Sequence, residues 1–374
     1  MKILYLIHWF WPHIGGMETL SMNAVPALKQ KGHDIVIVTS TSHLASMPRD
    51  EYQGIPIYRL PMTDALQRRD IKKFLYVRKE LVKIYKEFAP ELIHLHFGGT
   101  PVEIFLLDIV EGSKQRVPSV LTLHADISGL RTGPDTLLGK LLWHSTWVVA
   151  VSDSVMNNAL KTVPDIKGKI SRIYNGVPLP KFSPKDLDFR PPKILCLGRM
   201  VKEKGFDTMI EAFRKVLRRH PWSRLIMAGD GPVKKELEDL AARYGILDNV
   251  LFLGWVPLDK VPSLINQSTI VVVPSRWEEP FGLVAVEAAL LQRPVVAASV
   301  GGLKEVVQDN STGFLFRKEA VNELAQKVSF LLSHPAVAKR LGSAARKYAQ
   351  EHFLIERYVN QYHKLYTALA KEQL

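Results

Sequence analysis

The chain contains 374 residues, of which 47% are hydrophobic and 23% are charged. This length corresponds to about two domains, and the composition is typical of a globular protein, so a peptide hormone, a small adaptor and a disordered chain are excluded. The net charge of +13 predicts affinity for anions. Because the Lys and Arg residues are spread along the whole chain, we expect no nucleic-acid partner.

The single cysteine, Cys196, excludes an intramolecular disulfide and a CxxC metal site, and it is typical of a reducing compartment. Every apolar run is shorter than the roughly 18 residues that a membrane span needs. The segment MKILYLIHWFWP is followed by His13, where a signal peptide would have small residues, so it predicts a first strand. We therefore expect a cytoplasmic protein.

Short apolar runs rich in β-branched residues alternate with helical patterns in the first half of the chain. This alternation predicts parallel βαβ units with helices on both faces of a sheet. The predicted strands are Ile3–Ile7, Ile35–Thr39, Ile55–Leu60, Leu92–His96, Ser119–Leu123 and Trp147–Val151.

A proline-rich segment, residues 176–192, separates this half from a second one and is predicted to be a linker. The alternation then restarts, with predicted strands at Lys193–Leu197, Arg224–Ala228, Val250–Leu253, Thr269–Val273, Val295–Ala298 and Phe314–Phe316. We expect two doubly wound α/β domains, residues 1–175 and 193–354, facing a central cleft where ligands bind.

The C-terminal tail has a helical pattern from about Ala336 to Leu374. Its apolar stripe, Tyr358, Tyr362, Leu365 and Leu369, must pack against another element. We expect residues 355–374 to pack back onto the first domain.

Two loops suit anionic ligands. Gly15 and Gly16 follow the first strand, where backbone N–H groups at a helix start can approach an anion, although a simple tight turn explains the pair equally well. In the second half, the loop from Gly198 to Gly205 places Arg199 and Lys204 before a helix predicted near Phe206. That loop suits a diphosphate, and it is not a Walker loop.

Two carboxylates lie in the segment PSRWEEPFGLVAVEAALLQRP. With a helix predicted to begin near Pro280 or Phe281, Glu279 and Glu287 would be roughly 12 Å apart along its axis. Such a pair cannot share a metal or a proton, but it can bind two ends of one elongated ligand. Carboxylates accept hydrogen bonds from paired hydroxyls such as those of sugars.

Histidines and aspartates offer weaker signals. His124 ends a predicted strand and is either an active-site group or a hydrogen-bonded strand-end histidine. His94 and His96 share one strand face, but no third metal ligand is evident. Asp186-Leu187-Asp188 matches a metal-binding DxD by letter, yet it lies in the predicted linker without a preceding strand, and we attribute the match to chance.

Taken together, these motifs resemble the retaining GT-B glycosyltransferases of family 4. The resemblance is carried, in order, by GGxE, Asn175-Gly176-Val177, GRxxxxKG, GDGP at 229–232, E-P-F-G-L-x-x-x-E and VGGLKEVV at 300–307. It runs nearly from end to end of the chain. It implies an enzyme that moves a hexose from a nucleotide sugar to an acceptor with retention at the anomeric carbon.

The resemblance also implies residue roles. Gly15 and Gly16 would border the donor phosphates and the acceptor side, and Arg199 and Lys204 would bind the diphosphate. Glu279 and the backbone of Phe281, Gly282 and Leu283 would bind the sugar hydroxyls of the donor. Glu287 would bind the ribose, and Trp255 and Val256 would lie near the base. His124 would lie beside the sugar.

We therefore expect a metal-independent hexosyltransferase with no cofactor, a UDP-sugar as first choice of donor and GDP-mannose as second, and a glycan or lipid-linked acceptor. A GT-B epimerase or phosphorylase is the alternative enzyme. A non-catalytic sugar-nucleotide-binding protein is the alternative of another class.

Cations are concentrated in the helical pattern of residues 68–88. The pattern predicts either contact with an anionic membrane at the inner face or an ordinary surface helix. In the second case, Ile71, Phe74, Leu75, Leu81, Ile84, Tyr85 and Phe88 would all face the core.

Overall fold

The computed structural model describes residues 1–42, 44, 45, 47–99, 102, 105, 117–133 and 135–371. The chain divides into two compact units. Unit 1 comprises Met1–Gly176 and Ile355–Leu374, and unit 2 comprises Val177–Leu354.

Unit 1 is built on an eight-stranded sheet with the order β3-β4-β2-β1-β5-β6-β7-β8. Only β3 runs antiparallel, against β4. The central strands are almost wholly buried because helices cover both faces. The strands are β1 (Lys2–Ile7), β2 (Asp34–Ser40), β3 (Arg49–Tyr52), β4 (Ile55–Leu60), β5 (Leu92–Phe97), β6 (Ser119–Leu123), β7 (Trp147–Ala150) and β8 (Ile170–Arg172).

The described helices within residues 1–176 are α1 (Gly16–Gln30), α2 (Met62–Gln67), α3 (Ile71–Phe88), α4 (Leu137–His144) and α5 (Asp153–Thr162). Side-chain caps set three of their starts, one of them through Thr136, which accepts a hydrogen bond from the backbone N–H of Gly139 at the start of α4. Asp70 accepts a hydrogen bond from the backbone of Lys73 at the start of α3, and Ser152 caps α5 in the same way through Val155.

Unit 2 contains a parallel six-stranded sheet with the order β11-β10-β9-β12-β13-β14. Its strands are β9 (Lys193–Leu197), β10 (Arg224–Ala228), β11 (Val250–Gly254), β12 (Ile270–Val273), β13 (Val295–Ala298) and β14 (Gly313–Phe316). Its helices are α6 (Phe206–Leu217), α7 (Lys234–Arg243), α8 (Val261–Asn266), α9 (Leu283–Leu290), α10 (Leu303–Val306), α11 (Val321–Ser333) and α12 (Pro335–His352). The strand order reverses at β9, as in a doubly wound sheet.

The structure confirms the predicted fold class, two doubly wound α/β units. Every predicted strand is present, with bounds that differ by at most one residue. The sequence missed β3, whose residues RDEY are polar because this edge strand is largely solvated, and the three-residue β8.

The tail is two helices rather than one. Helix α12 belongs to unit 2, and the last helix, α13 (Ile355–Lys371), belongs to unit 1. The Tyr362 hydroxyl lies 2.7 Å from Thr122 Oγ1 of β6. The buried stripe is Tyr358, Tyr362, Tyr366 and Leu369, so Tyr366 takes the place predicted for the half-buried Leu365. Residues 372–374 of the predicted helix lie outside the described residues.

The segment predicted as a linker is fixed to unit 2 from residue 177 onward. Asn266 accepts a hydrogen bond from the backbone N–H of Lys185 (2.9 Å) and donates one to the carbonyl of Ser183 (3.1 Å). The buried Arg293 donates to the carbonyls of Lys185 and Ser268. These hydrogen bonds anchor the segment to unit 2 at Ser183 and Lys185, while most of its residues from 178 to 191 are exposed.

We expect Arg293→Met to lower the free energy of unfolding by about 3 kcal/mol, because several buried carbonyls lose a charged donor. Urea denaturation measures the change. Arg243→Met, at an exposed site, is the matched control. Trypsin should also cleave the variant faster after Lys185. A loss below about 1 kcal/mol would show that Arg293 does not hold this segment.

Candidate active site

The predicted anion loop follows β9 directly. Its start is fixed by backbone hydrogen bonds, since Gly198 donates to the Ala228 carbonyl (3.0 Å) and Met200 donates to the Asp230 carbonyl (2.8 Å). Its end is fixed by Gly205, at φ 65°, where a Cβ atom would lie 2.1 Å from the Pro274 carbonyl oxygen. The loop is thereby held at the N-terminus of α6, next to the segment that follows β12.

Lys204 and Glu279 meet in this place. Lys204 Nζ lies 2.7 Å from Glu279 Oε2, and the two side chains are 27% and 11% exposed. The sequence predicted that they bind different parts of a ligand. The structure instead brings them into one ion pair, which partial burial strengthens relative to a surface pair.

The two oxygens of the Glu279 carboxylate differ. Oε2 accepts hydrogen bonds from Lys204 Nζ, from Ser275 Oγ (2.9 Å) and from Trp277 Nε1 (3.0 Å). Within the described residues, no hydrogen bond to Oε1 is found. Lys204 Nζ also lies 5.4 Å from the centroid of the Trp277 ring. One oxygen is thus saturated by the protein, while the other is available to a ligand.

A second glycine pair fixes the loop that carries Glu279. Gly301 N donates to Glu278 Oε2 (2.8 Å), and Gly302 N donates to the Glu279 carbonyl (2.8 Å). A Cβ atom on Gly301, at φ 47°, would lie 2.1 Å from that carbonyl oxygen. The sequence singled out the VGGLKEVV motif but assigned it no contact with Glu279, because only the fold brings the two loops together.

Arg276 is a further residue that sequence reasoning missed. Its guanidinium binds Asp207 Oδ2 (2.7 Å) in the first turn of α6 and lies 3.0 Å from Glu319 Oε1. Its backbone N–H donates to the Glu203 carbonyl (2.8 Å). Arg276 therefore ties the segment after β12 to the cationic loop.

Arg199 lies on the cationic loop and is exposed. In the described part of the chain it has no ion pair, in contrast to Lys204. A fully charged guanidinium in this position can bind two phosphate oxygens through its planar fork.

Glu287 lies on α9, and its placement corrects the sequence analysis. The helix begins at Leu283, after Gly282 at φ 103°, and not near Pro280 or Phe281. Glu279 therefore precedes the helix, and the predicted rise of eight helical residues between the two carboxylates does not apply. Glu287 is half-buried among Ala and Val residues of α9, and burial raises its pKa to about 7.

Gly282 is the N-cap of α9 and Leu283 is its first residue, and the buried Phe281 precedes them, so the backbone of these three residues lies at the start of the helix. Trp255 and Val256 follow β11; Trp255 is exposed and Val256 is half-buried. The structure places both at the carboxyl end of a strand of the same sheet as the cationic loop.

The other predicted residues lie in unit 1. Gly15 is the N-cap of α1 in extended conformation, and Gly16 is the first residue of that helix. Their backbone N–H groups stand at the positive end of a 15-residue helix.

His124 follows β6 and is half-buried; its Nε2 lies 2.9 Å from His96 Nδ1. Burial lowers the pKa of His124 to about 3, so the ring is neutral near pH 7. His94 is bonded to Thr122 and Tyr366 and does not form a metal pair with His96. No cluster of three His, Cys, Asp or Glu side chains suited to a metal ion occurs among the described residues.

Two family models match adjacent parts of the chain. The model described as Glycosyltransferase Family 4 matches residues 14–181, and the model described as Glycosyl transferases group 1 matches residues 181–348. A glycogen synthase of Mycobacterium tuberculosis is 28% identical to the chain, over 93% of the chain and 90% of the relative.

Solved structures show the same fold. Sucrose-phosphate synthase from Thermosynechococcus elongatus superposes with a TM-score of 0.82 at 22% identity, covering 98% of each chain. Anabaena HepE in complex with UDP-glucose gives a TM-score of 0.79 at 22% identity, covering 98% of this chain and all of the other. With both halves matched by family models and the fold of each unit in place, the chain belongs to family 4 of the glycosyltransferases and has the GT-B fold.

Proposed function

We propose that the chain transfers a hexose, with retention, from a nucleoside-diphosphate sugar to a glycan or lipid-linked acceptor, and that the donor is a UDP-sugar. The observation that carries this proposal is the arrangement of Lys204, which pairs with Glu279 of the loop after β12, and the exposed Arg199 on the same loop as Lys204 after β9. It offers cations for a diphosphate beside a carboxylate with one oxygen available for hydroxyl groups.

In this proposal, Lys204 and Arg199 stabilise the negative charge of the departing diphosphate. Lys204 has three N–H donors, of which Glu279 takes one, so the others can turn to phosphate oxygens. Glu279 and the Trp277 ring hold the ammonium group in place. Positioned donors of this kind stabilise negative charge that develops in the transition state.

The sugar and the nucleoside have separate partners in this proposal. Glu279 Oε1 and the backbone of Phe281, Gly282 and Leu283 bind donor hydroxyls, and Glu287 accepts from the ribose. Val256 borders the base. His124, Gly15 and Gly16 act on the sugar and the acceptor side from unit 1.

We propose that no divalent metal takes part in the transfer. The only DxD by sequence letters lies outside both sheets, in the segment before β9, where Asp188 Oδ1 accepts from the backbone of Arg190 (2.8 Å). Cationic side chains then supply the charge that a metal ion supplies in other transferases.

We expect Lys204→Ala to lower kcat about a hundredfold or more, or about 3 kcal/mol, because its bond to the diphosphate strengthens as charge develops. Arg199→Lys should recover only part of the activity, because a point charge does not replace a bidentate fork. Steady-state kinetics with and without EDTA measure both effects.

Lys202→Ala, at an exposed position of the same loop, is the matched control and should behave as wild type. Loss of activity in EDTA with recovery in Mn²⁺, together with near-normal Lys204→Ala, would contradict the metal-independent mechanism.

The choice of UDP is supported by the complex of the fold relative HepE with UDP-glucose. In a thermal-shift screen of UDP, GDP, ADP and TDP, we expect UDP at 100 times its Kd to stabilise the protein by about 2.7 kcal/mol, a rise in Tm of about 3–4 °C for a chain of 374 residues. A larger shift with GDP would contradict the choice of UDP and make a GDP-sugar the proposed donor.

The anomeric configuration of the product, determined by NMR, tests whether the transfer retains the configuration of the donor sugar.

Glu287 makes the binding of UDP depend on pH. Its pKa of about 7 lies above the ordinary value, and ribose hydroxyls favour its ionised form, so binding should release a proton. We expect the affinity for UDP to rise about tenfold from pH 6 to pH 8 in addition to any effect of UDP's own ionisation. Calorimetry should show this extra rise vanish in Glu287→Gln and persist in the exposed control Glu236→Gln.

A membrane contact is supported by the outer face of α3. Counted at 100° per residue, its exposed side chains fall within an arc of about 160°. They are the apolar Ile71, Leu75, Tyr76 and Val82, the cationic Lys72, Lys79, Lys83 and Lys86, and one acid, Glu87, at the edge of the arc. Ile71 and Leu75 are 73% and 57% exposed, so the expectation that they face the core is wrong. We propose that this face binds an anionic bilayer and brings the enzyme to a lipid-linked acceptor.

Among the described residues, no helix is long and apolar enough to cross a membrane. We therefore expect binding at the surface, measurable by sedimentation with liposomes at low salt. Lys79→Gln with Lys83→Gln should weaken binding to anionic vesicles about 30-fold, at about 1 kcal/mol per charge. Lys339→Gln with Arg340→Gln, two exposed charges on α12, is the control. Equal recovery of the protein with neutral and with anionic vesicles would contradict the proposed membrane contact.

A further inference from the structure

A pair of histidines connects the proposed sugar-side residue to the interior of unit 1. His96, in β5, is fully buried, and its Nδ1 lies 2.9 Å from Nε2 of the half-buried His124. The other nitrogen of His96, Nε2, is buried and has no hydrogen-bond partner in the described part of the chain. This asymmetry determines which nitrogen carries the shared proton.

Two neutral arrangements can form the bond between the two rings. If His124 donates from Nε2, His96 must carry its own proton on Nε2, where a buried N–H would be left without an acceptor. If His96 donates from Nδ1, its Nε2 is a bare acceptor without a donor. A buried N–H without a partner is the rarer and costlier of the two.

The surrounding rings do not supply the acceptor that His96 Nε2–H would need in the first arrangement. Tyr5 and His94 lie against the His96 ring at tilted interplanar angles of 37° and 42°, and within the described residues neither accepts a hydrogen bond from His96 Nε2. A cationic His96 is excluded as well, because burial and the neighbouring histidines lower its pKa well below the ordinary value. The second arrangement remains.

We propose that His96 is a positioning residue that fixes the proton of His124 on Nδ1. Because Nε2 of His124 accepts from His96, a neutral His124 must carry its hydrogen on the opposite nitrogen. Nδ1 of His124 has no hydrogen bond within the described residues. It therefore offers an N–H donor to a ligand hydroxyl or to developing negative charge, and it is unable to act there as a base.

The ring of His96 is held in place by a network from the last helix. The His94 ring lies against it, tilted by 42° at a centroid distance of 3.9 Å. His94 Nδ1 lies 2.6 Å from the Tyr366 hydroxyl, and its Nε2 lies 2.8 Å from Thr122 Oγ1, which in turn lies 2.7 Å from the Tyr362 hydroxyl. Helix α13 thus contributes two tyrosines to a buried hydrogen-bonded network behind the histidine pair.

The effect of this tautomer on catalysis rests on the proposed function. The tautomer itself can be tested independently of that function. In the full chain labelled with ¹⁵N-histidine, long-range ¹H–¹⁵N spectra distinguish the two tautomers without any substrate. The signal lost in His124→Gln identifies His124. We expect His124 to be protonated on Nδ1 and bare on Nε2.

Variants of His96 separate positioning from mere packing. His96→Leu fills the space without a donor, so the Nε2–H form of His124 should appear and kcat should fall at least about tenfold, while KM for the UDP-sugar stays within about twofold. His96→Asn keeps an N–H donor near Nδ1 and should keep the wild-type tautomer and most of kcat. Tyr366→Phe, which removes a buried bond to His94 only, is the control for stability.

A wild-type His124 protonated on Nε2 would overturn the proposal, and so would an unchanged tautomer in His96→Leu. Normal turnover in His124→Gln would instead overturn the sugar-side role given to His124 under the proposed function. In that case the spectra would still decide whether His96 fixes the tautomer.

Discussion

The site around Lys204 and Glu279 in unit 2 depends on how closely three loops approach one another at the carboxyl ends of adjacent parallel strands. The loops follow β9, β12 and β13, and they touch backbone to backbone. At Gly205 and Gly301, each with positive φ, a Cβ atom would lie 2.1 Å from a carbonyl oxygen of the loop after β12. Any other residue would push the loops apart and separate the charged groups they carry.

This close approach explains the electrostatics of the site. Lys204 and Glu279 are 75 residues apart in sequence, yet they form a half-buried ion pair because their loops are held together. Ser275 and Trp277 add two donors to the same carboxylate oxygen. A carboxylate with one saturated oxygen combines two tasks in one side chain: it orients a cation, and it remains able to accept hydroxyl groups.

Unit 1 follows a different physical logic. Around His124 the groups are uncharged, since burial lowers the pKa of His94, His96 and His124. Polar side chains there are organised by hydrogen bonds to Tyr362 and Tyr366 of α13. The groups around Lys204 in unit 2 are therefore charged, whereas these histidines of unit 1 are neutral. This difference is consistent with the proposal that unit 2 binds the diphosphate and that His124 of unit 1 contacts the sugar.

The sequence by itself determined the α/β class, the strands and the family, because parallel strands buried on both faces are continuous apolar runs and because the glycine and carboxylate motifs are local. It missed β3 and β8, began α9 too early, did not show that the predicted linker is anchored to unit 2, and in one of its two interpretations of residues 68–88 placed Ile71 and Leu75 in the core. Only the tertiary structure decided that Lys204 binds Glu279, that Gly301 supports the Glu279 loop and that His96 bonds to His124. Each of these contacts joins residues from different strands or loops, and their distances depend on sheet order and loop packing, which no local pattern in the sequence specifies.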